Sequence, residues 1–151
     1  MAQSVAQIYM HVVFSTKNRV PFLKHSDIRE QLFSYIAKII YENDSYPVCI
    51  GGYEDHIHIL LNLSKNICFK NIVGDIKRST SKWIKTKGDE YSNFYWQAGY
   101  GGFSIGQAQK QITIDYINNQ SEHHKKVSFQ DELRLFMTKN KMEIDERYFW
   151  D

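Results

Sequence analysis

Residues 46–63 read YPVCIGGYEDHIHILLNL. The first part, 46–53, is a short strand ending in Gly51–Gly52, and 55–63 (DHIHILLNL) is a second strand, so the pair forms a hairpin. Side chains alternate across a strand, which places His56 and His58 on one face and Ile57, Ile59 and Leu61 on the other.

Working outward, residues 7–15 (QIYMHVVFS) mix β-branched and aromatic residues and predict a strand, followed by the turn TKNRVP. Asp27 and Glu30 have capping-box spacing before Ile28, Leu32, Tyr35, Ile36, Ile39 and Ile40, which predicts a helix over 27–43. Beyond the hairpin, Ile67, Val73, Ile76, Trp83 and Ile84 give an apolar stripe to a helix over 66–87. The stretch 94–105 (FYWQAGYGGFSI) predicts a strand with a bulge or a tight loop. Ser104 and Gln107 repeat the capping spacing and open a helix through about residue 124; Ser128 caps a last one to about 139. No element is predicted for the tail, 140–151. The order β-α-β-β-α-β-α points to an α+β sandwich of the ferredoxin-like (RRM-like) kind, one antiparallel sheet with helices packed on it.

At 151 residues the chain predicts a single domain, 1–151, whose core runs over about 8–137. Folding at this size hides roughly 68–70% of the unfolded surface. Cys49 and Cys68 lack a ligand spacing, so a reducing, cytoplasmic setting is expected. The first residues, MAQSVAQIYMHVVFS, do not read as a signal peptide, and no run approaches the roughly 20 apolar residues of a membrane span. Membrane, secreted disulfide-rich and disordered classes are thereby disfavoured.

Nineteen basic residues against seventeen acidic ones leave a net charge of +2, which by itself does not announce a nucleic-acid binder. The average conceals a segregation. Residues 64–87 carry a local +6, and 129–151 hold six acids against four bases. A helix this lopsided can neutralise a phosphate backbone. Lys77, Arg78, Lys82 and Lys85 are its candidate DNA contacts, with Lys17 and Arg19 of the first turn as a second set. Trp83, Trp96, Tyr95, Tyr100 and Phe103 offer stacking platforms, although most aromatics at this density fill a core.

Two constellations carry chemistry. Two imidazoles on one strand face make half of a metal site, or else an ordinary polar pair on an open sheet. Glu54 and Asp55 could orient one of them. On the later helix, Gln120 lies one turn from Tyr116, and His123 continues the stripe, with His124 beside it. A phenol is a poor nucleophile at its free pKa of about 10 and gains use when a metal activates a phosphate. Read alone, one tyrosine among ten is ordinarily core.

Taken in order, GGYEDHIHILLNL, FYWQAGYGGFSIGQ and YINNQSEHH resemble the signatures of HUH-type single-tyrosine transposases of small bacterial and archaeal insertion sequences. The resemblance covers roughly residues 8–137. It departs only at Gly101–Gly102–Phe103, where many relatives would show Gly-Ala-Phe. It implies a metal-dependent DNA strand transferase. His56, His58 and Gln120 would hold a divalent cation, Mg²⁺ or Mn²⁺. Tyr116 would attack single-stranded DNA to give a 5′-phosphotyrosine adduct and a free 3′-OH. Homodimers binding hairpin-bearing element ends are also implied, with the tyrosine placed in cis or in trans. Three other readings stand beside it: a domesticated relative processing repeated chromosomal palindromes, a non-catalytic single-stranded nucleic-acid-binding module, and a metal-dependent hydrolase without a tyrosine step.

Overall fold

A computed structural model describes residues 2–124 and 126–151. Four strands, β1 (Tyr9–Ser15), β2 (Tyr46–Gly52), β3 (His56–Asn62) and β4 (Gly101–Ile105), form one antiparallel sheet in the order β2-β3-β1-β4. The hairpin is present, with Gly51 opposite His58. This is the α+β, ferredoxin-like arrangement that the order of elements predicts.

Alternation along the central strands divides two cores. Val12 and Phe14 of β1 and Ile57, Ile59 and Leu61 of β3 face α1 (Ser26–Glu42) and α2 (Phe69–Lys85). There Leu32, Ile36, Ile72, Val73 and Ile76 close over them. The opposite face is also covered. Val13 and Phe103 pack against Phe129, Leu133 and Met137 of α5 (Phe129–Lys139), and Trp150 of the tail joins them. Tyr9 and Leu60 pack on Ile117 of α3 (Lys110–Asn118). His56 and His58 therefore lie between layers, each 0% exposed, and the open sheet face is not what the chain builds.

Local signals fail where long-range pairing competes. Helix α1 starts at Ser26 with His25 as N-cap and no side-chain cap bond, so the Asp27–Glu30 box is not formed. Helix α2 starts at Phe69, behind Cys68, rather than at residue 66. Ser104 does not cap a helix; it pairs with Met10 inside the sheet. A 3-10 turn, Gln107–Gln109, then leads into α3, which breaks at Asn119 before the four-residue α4 (Gln120–His123). Ser128 does cap α5, its hydroxyl accepting from the Asp131 N–H at 3.2 Å.

The aromatic block is mostly a strap and not a strand. Its backbone is tied to the end of β1 and the turn after it by Lys17 N–H to Tyr95 O (2.7 Å) and Gln97 N–H to Ser15 O (2.9 Å). Phe94 and Trp96 pack edge to face with each other (4.8 Å between centroids), and Trp96 also packs so on Phe14 (4.9 Å). The tail docks on the same strap: Gln97 Nε2 donates to Phe149 O (2.9 Å) and Ala98 N–H to Asp151 O (2.9 Å).

Lys77 and Arg19 are drawn into this framework. The Lys77 ammonium donates to the carbonyls of Gln97 (2.8 Å), Ala98 (3.3 Å) and Gly99 (2.6 Å). Burial lowers its pKa to about 8, which still leaves it charged at neutral pH. Arg19 Nη1 donates to Trp150 O at 2.8 Å. The Lys77 ammonium thus spends its donors on the protein's own carbonyls, and Arg19 gives one of its N–H groups to the tail. Lys77→Met should cost about 1.5–3 kcal/mol, the range for hydrogen bonds to a charged group, read as a lower urea midpoint at unchanged slope.

Candidate active site

Strand β3 presents His56 and His58 side by side, and each ring is fixed from behind. His56 Nδ1 lies 2.8 Å from Asp55 Oδ1, the carboxylate expected to orient it. His58 Nδ1 lies 2.9 Å from Nε2 of His11, a buried histidine on β1. Both Nε2 atoms therefore aim into the space under α3–α5. Gln120 reaches the same space despite the break at Asn119, placing Oε1 3.0 Å from His56 Nε2. Tyr116 comes down beside them, its ring centroid 5.7 Å from that of His58. Four of the expected site residues, His56, His58, Gln120 and Tyr116, are thus gathered within one chain.

Like His11, Glu132 on α5 is not singled out by the sequence. Its carboxylate is 2% exposed and sits at the centre of the cluster. Oε1 lies 2.9 Å from His58 Nε2 and 3.7 Å from His56 Nε2. Oε2 lies 2.9 Å from His124 Nε2 and 3.1 Å from His123 Nε2, and it accepts the Tyr116 hydroxyl. Tyr116 Oη is also 3.2 Å from His123 Nε2. A sequence signal existed: Phe129, Leu133 and Met137 form the buried stripe of α5, and Glu132 occupies that stripe three residues after Phe129.

Electrostatics follow from this packing. Burial alone would push the Glu132 carboxyl up, but hydrogen bonds from His124 and His58, with the charges of His58 and His56, hold it well below the usual carboxylate range. Burial lowers His58 to about 4, against the pull of Glu132, and lowers His11 to about 3, with His58 adding to the effect. Tyr116 is pushed up by burial and then by the charge and hydrogen bond of Glu132. The cluster therefore rests with an anionic carboxylate at Glu132, a neutral imidazole at His58 and a protonated phenol. Deprotonated carboxylate and neutral imidazole are the forms that ligate metals. The donor atoms of His56, His58, His124 and Glu132 all lie within 4.8 Å of one another, so the residues present fit a metal ion.

The remaining basic candidates lie elsewhere. Arg78, Lys82 and Lys85 are exposed on α2, which packs on the sheet face opposite the imidazoles. Lys17 is exposed in the first turn. Lys85 Nζ sits 4.5 Å over the ring of Tyr95, which is exposed, whereas Trp96 and Phe103 are buried in the two cores. Among the described residues no helix is long and apolar enough to cross a membrane.

The same folded framework occurs in solved structures. A candidate transposase from Deinococcus radiodurans R1 superposes with a TM-score of 0.63 at 18% identity, over 80% of this chain and 95% of that one. A REP-associated tyrosine transposase bound to a REP hairpin superposes with a TM-score of 0.61 at 17% identity, over 84% and 76% respectively. At such identities the likeness is one of fold. No curated protein sequence matches the chain. Residues 4–120, however, match the sequence model described as "Transposase IS200 like", and this span takes in the hairpin with its paired histidines, the aromatic strap, Tyr116 and Gln120. By that match the chain belongs to the IS200-like transposase family.

Proposed function

We propose that the protein cleaves and rejoins single-stranded DNA at hairpin-bearing ends through a 5′-phosphotyrosine intermediate on Tyr116. The observation that supports this most is the convergence of Tyr116 with His56, His58 and Gln120 in one chain of a transposase family. A divalent cation held at the histidine pair, Mg²⁺ or Mn²⁺ in the reading from family resemblance, would polarise a bound phosphodiester and lower the barrier to attack.

The chain's own groups supply the rest. Asp55 and His11 fix the two imidazoles. Helix α3 carries the phenol to the same centre, where reaction needs reacting atoms about 3–3.5 Å apart. The Tyr116 oxygen forms a bond to phosphorus, the phosphorus–O3′ bond breaks, and the released 3′ oxygen takes up a proton. The phenol's own proton passes first to a neighbouring acceptor: Glu132 Oε2 already accepts the hydroxyl, and His123 Nε2 is 3.2 Å away. Reversal by another 3′-OH rejoins the strand without ATP.

Arg78, Lys82 and Lys85 lie on the far face of the sheet, which suits them to a hairpin stem rather than to the scissile phosphate. A homodimer, as the resemblance implies, would carry two such centres, and within one chain Tyr116 stands beside His58.

The test is an incubation of the protein with end-labelled single-stranded DNA carrying a hairpin and its flanks, in Mn²⁺ or Mg²⁺. Expected is a covalent protein–DNA species that survives SDS and is absent in chelator. Cleaved DNA with no adduct would instead identify a hydrolase, and hairpin binding indifferent to chelator with no cleavage would identify a binding module.

A further inference from the structure

We infer that the cavity beside Tyr116, walled by β4, α3 and α5, is a pocket for the base of the nucleotide just 3′ of the cut, the one whose 5′ phosphate Tyr116 would take. The inference rests on the transferase reading above and deepens it, by naming the part of the strand beyond the hairpin that the chain itself grips.

The cavity holds about 390 Å³, within the roughly 300–1,000 Å³ of small-ligand sites. Tyr116 contributes to its wall, so an occupant touches the nucleophile. Phe103 of β4 and Phe136 of α5 supply the other flat surfaces. Their rings stack at 5.5 Å between centroids, and Phe136 meets Tyr116 edge on at 5.6 Å. Ile112, one turn before Tyr116 on α3, borders the opening and is 70% exposed. Polar groups on the lining are largely in use. Thr113 donates its hydroxyl to Gln109 O (2.8 Å), and Asn140 Nδ2 donates to Phe136 O (2.9 Å). His11, 2% exposed, forms the floor, with its Nε2 held by His58 Nδ1 at 2.9 Å. Its Nδ1 is left for an occupant. Flat apolar walls with one polar group at depth suit an unpaired base, which stacks on aromatic rings whatever its identity.

Charge and reaction geometry fix the occupant further. Lys139, exposed in the last turn of α5, borders this cavity and also a smaller cleft on the Glu132 side of Tyr116. Among the described residues Arg134 pairs with Glu146 and Arg147 with Asp145, whereas Lys139 makes no ion pair. A cation at the opening suits the phosphates that flank an inserted base. In an in-line displacement the leaving O3′ stands opposite the attacking oxygen. The departing nucleotide then lies across phosphorus from Tyr116, and the nucleotide that stays attached is the one able to reach a pocket beside the phenol.

The experiment uses the full-length protein and single-stranded hairpin DNA in Mn²⁺, with the cut mapped on wild type and one flanking nucleotide at a time made abasic. Expected is a fall of about 10-fold in the single-turnover rate of adduct formation when the base just 3′ of the cut is missing, as for loss of one stacked base. Removal of the base just 5′ of it should cost less than about 3-fold on the same scale. Phe136→Leu on intact DNA should lose about 10-fold too, and on the abasic strand no more than either change alone, because both remove the same contact. A merely structural effect of the leucine would multiply with that of the missing base, and such multiplication overturns the proposal. So does a wild-type rate indifferent to the base 3′ of the cut, or a larger penalty 5′ of it, and neither reading depends on a variant folding. If wild type forms no adduct on any strand, the transferase reading fails and equilibrium affinity for the same strands judges the pocket. A loss of about 10-fold at a single abasic position, not seen in Phe136→Leu, keeps a base-binding pocket. Affinity indifferent to every abasic position removes it.

Discussion

Tyr116→Phe is expected to form no covalent DNA adduct at any time point, while folding normally and binding hairpin DNA with wild-type affinity. The substitution removes one oxygen and keeps the ring. The packing of that ring on Phe136 (5.6 Å between centroids), His123 (5.3 Å) and His58 (5.7 Å) does not involve the hydroxyl. Glu132 loses one donor and keeps His58 and His124, each at 2.9 Å. The stability change should therefore be about 1 kcal/mol, the net value of a typical hydrogen bond. A benzene ring offers phosphorus no nucleophile, so the loss of adduct is complete and not partial. An SDS-resistant adduct of wild-type mass in this variant, at any rate, means that another side chain attacks. Cleavage that persists without an adduct means that water does.

How much of this was legible beforehand depends on whether the deciding signal is local. The hairpin and the shared face of His56 and His58 follow from a strict period of two, which the sheet preserves because Ile57, Ile59 and Leu61 must be buried on the other side. The break at Asn119 was not legible. Capping signals at Ser104–Gln107 suggested one long helix, but Ser104 is committed to a strand ladder with Met10. Glu132 was the largest omission, because its partner His58 lies 74 residues away and the segment around it is acidic overall. A carboxylate on the buried stripe of an amphipathic helix is the one clue, and it calls for a cationic or metal partner inside. Lys77 is the same case in reverse: it borders the buried stripe of α2 at Ile76 and Thr80, and its charge is spent on the strap it clamps.

Placement of the nucleophile depends on a glycine that carries no chemistry. A Cβ built on Gly51 would stand 2.6 Å from the carbonyl oxygen of Ile117 and 2.8 Å from its Cγ2. Ile117 follows Tyr116 on α3, so an alanine at 51 must push that helix off the edge strand. The obstacle is backbone, which cannot rotate aside. Gly51→Ala should lower the single-turnover rate of adduct formation by about 100-fold, the cost of a misplacement near 1 Å. Stability should fall by about 1–3 kcal/mol, as for overpacking, with hairpin affinity unchanged. Gly102→Ala is the matched control. Its Cβ would meet Cε2 of Phe69 at 2.6 Å, the rim of a side chain that can turn away, on the sheet face opposite Tyr116. The adduct rate should change by no more than about 2-fold, within the roughly 0.5 kcal/mol of an ordinary tolerated change. Equal losses in the two variants would show that the close approach of α3 to Gly51 has no special part in positioning Tyr116.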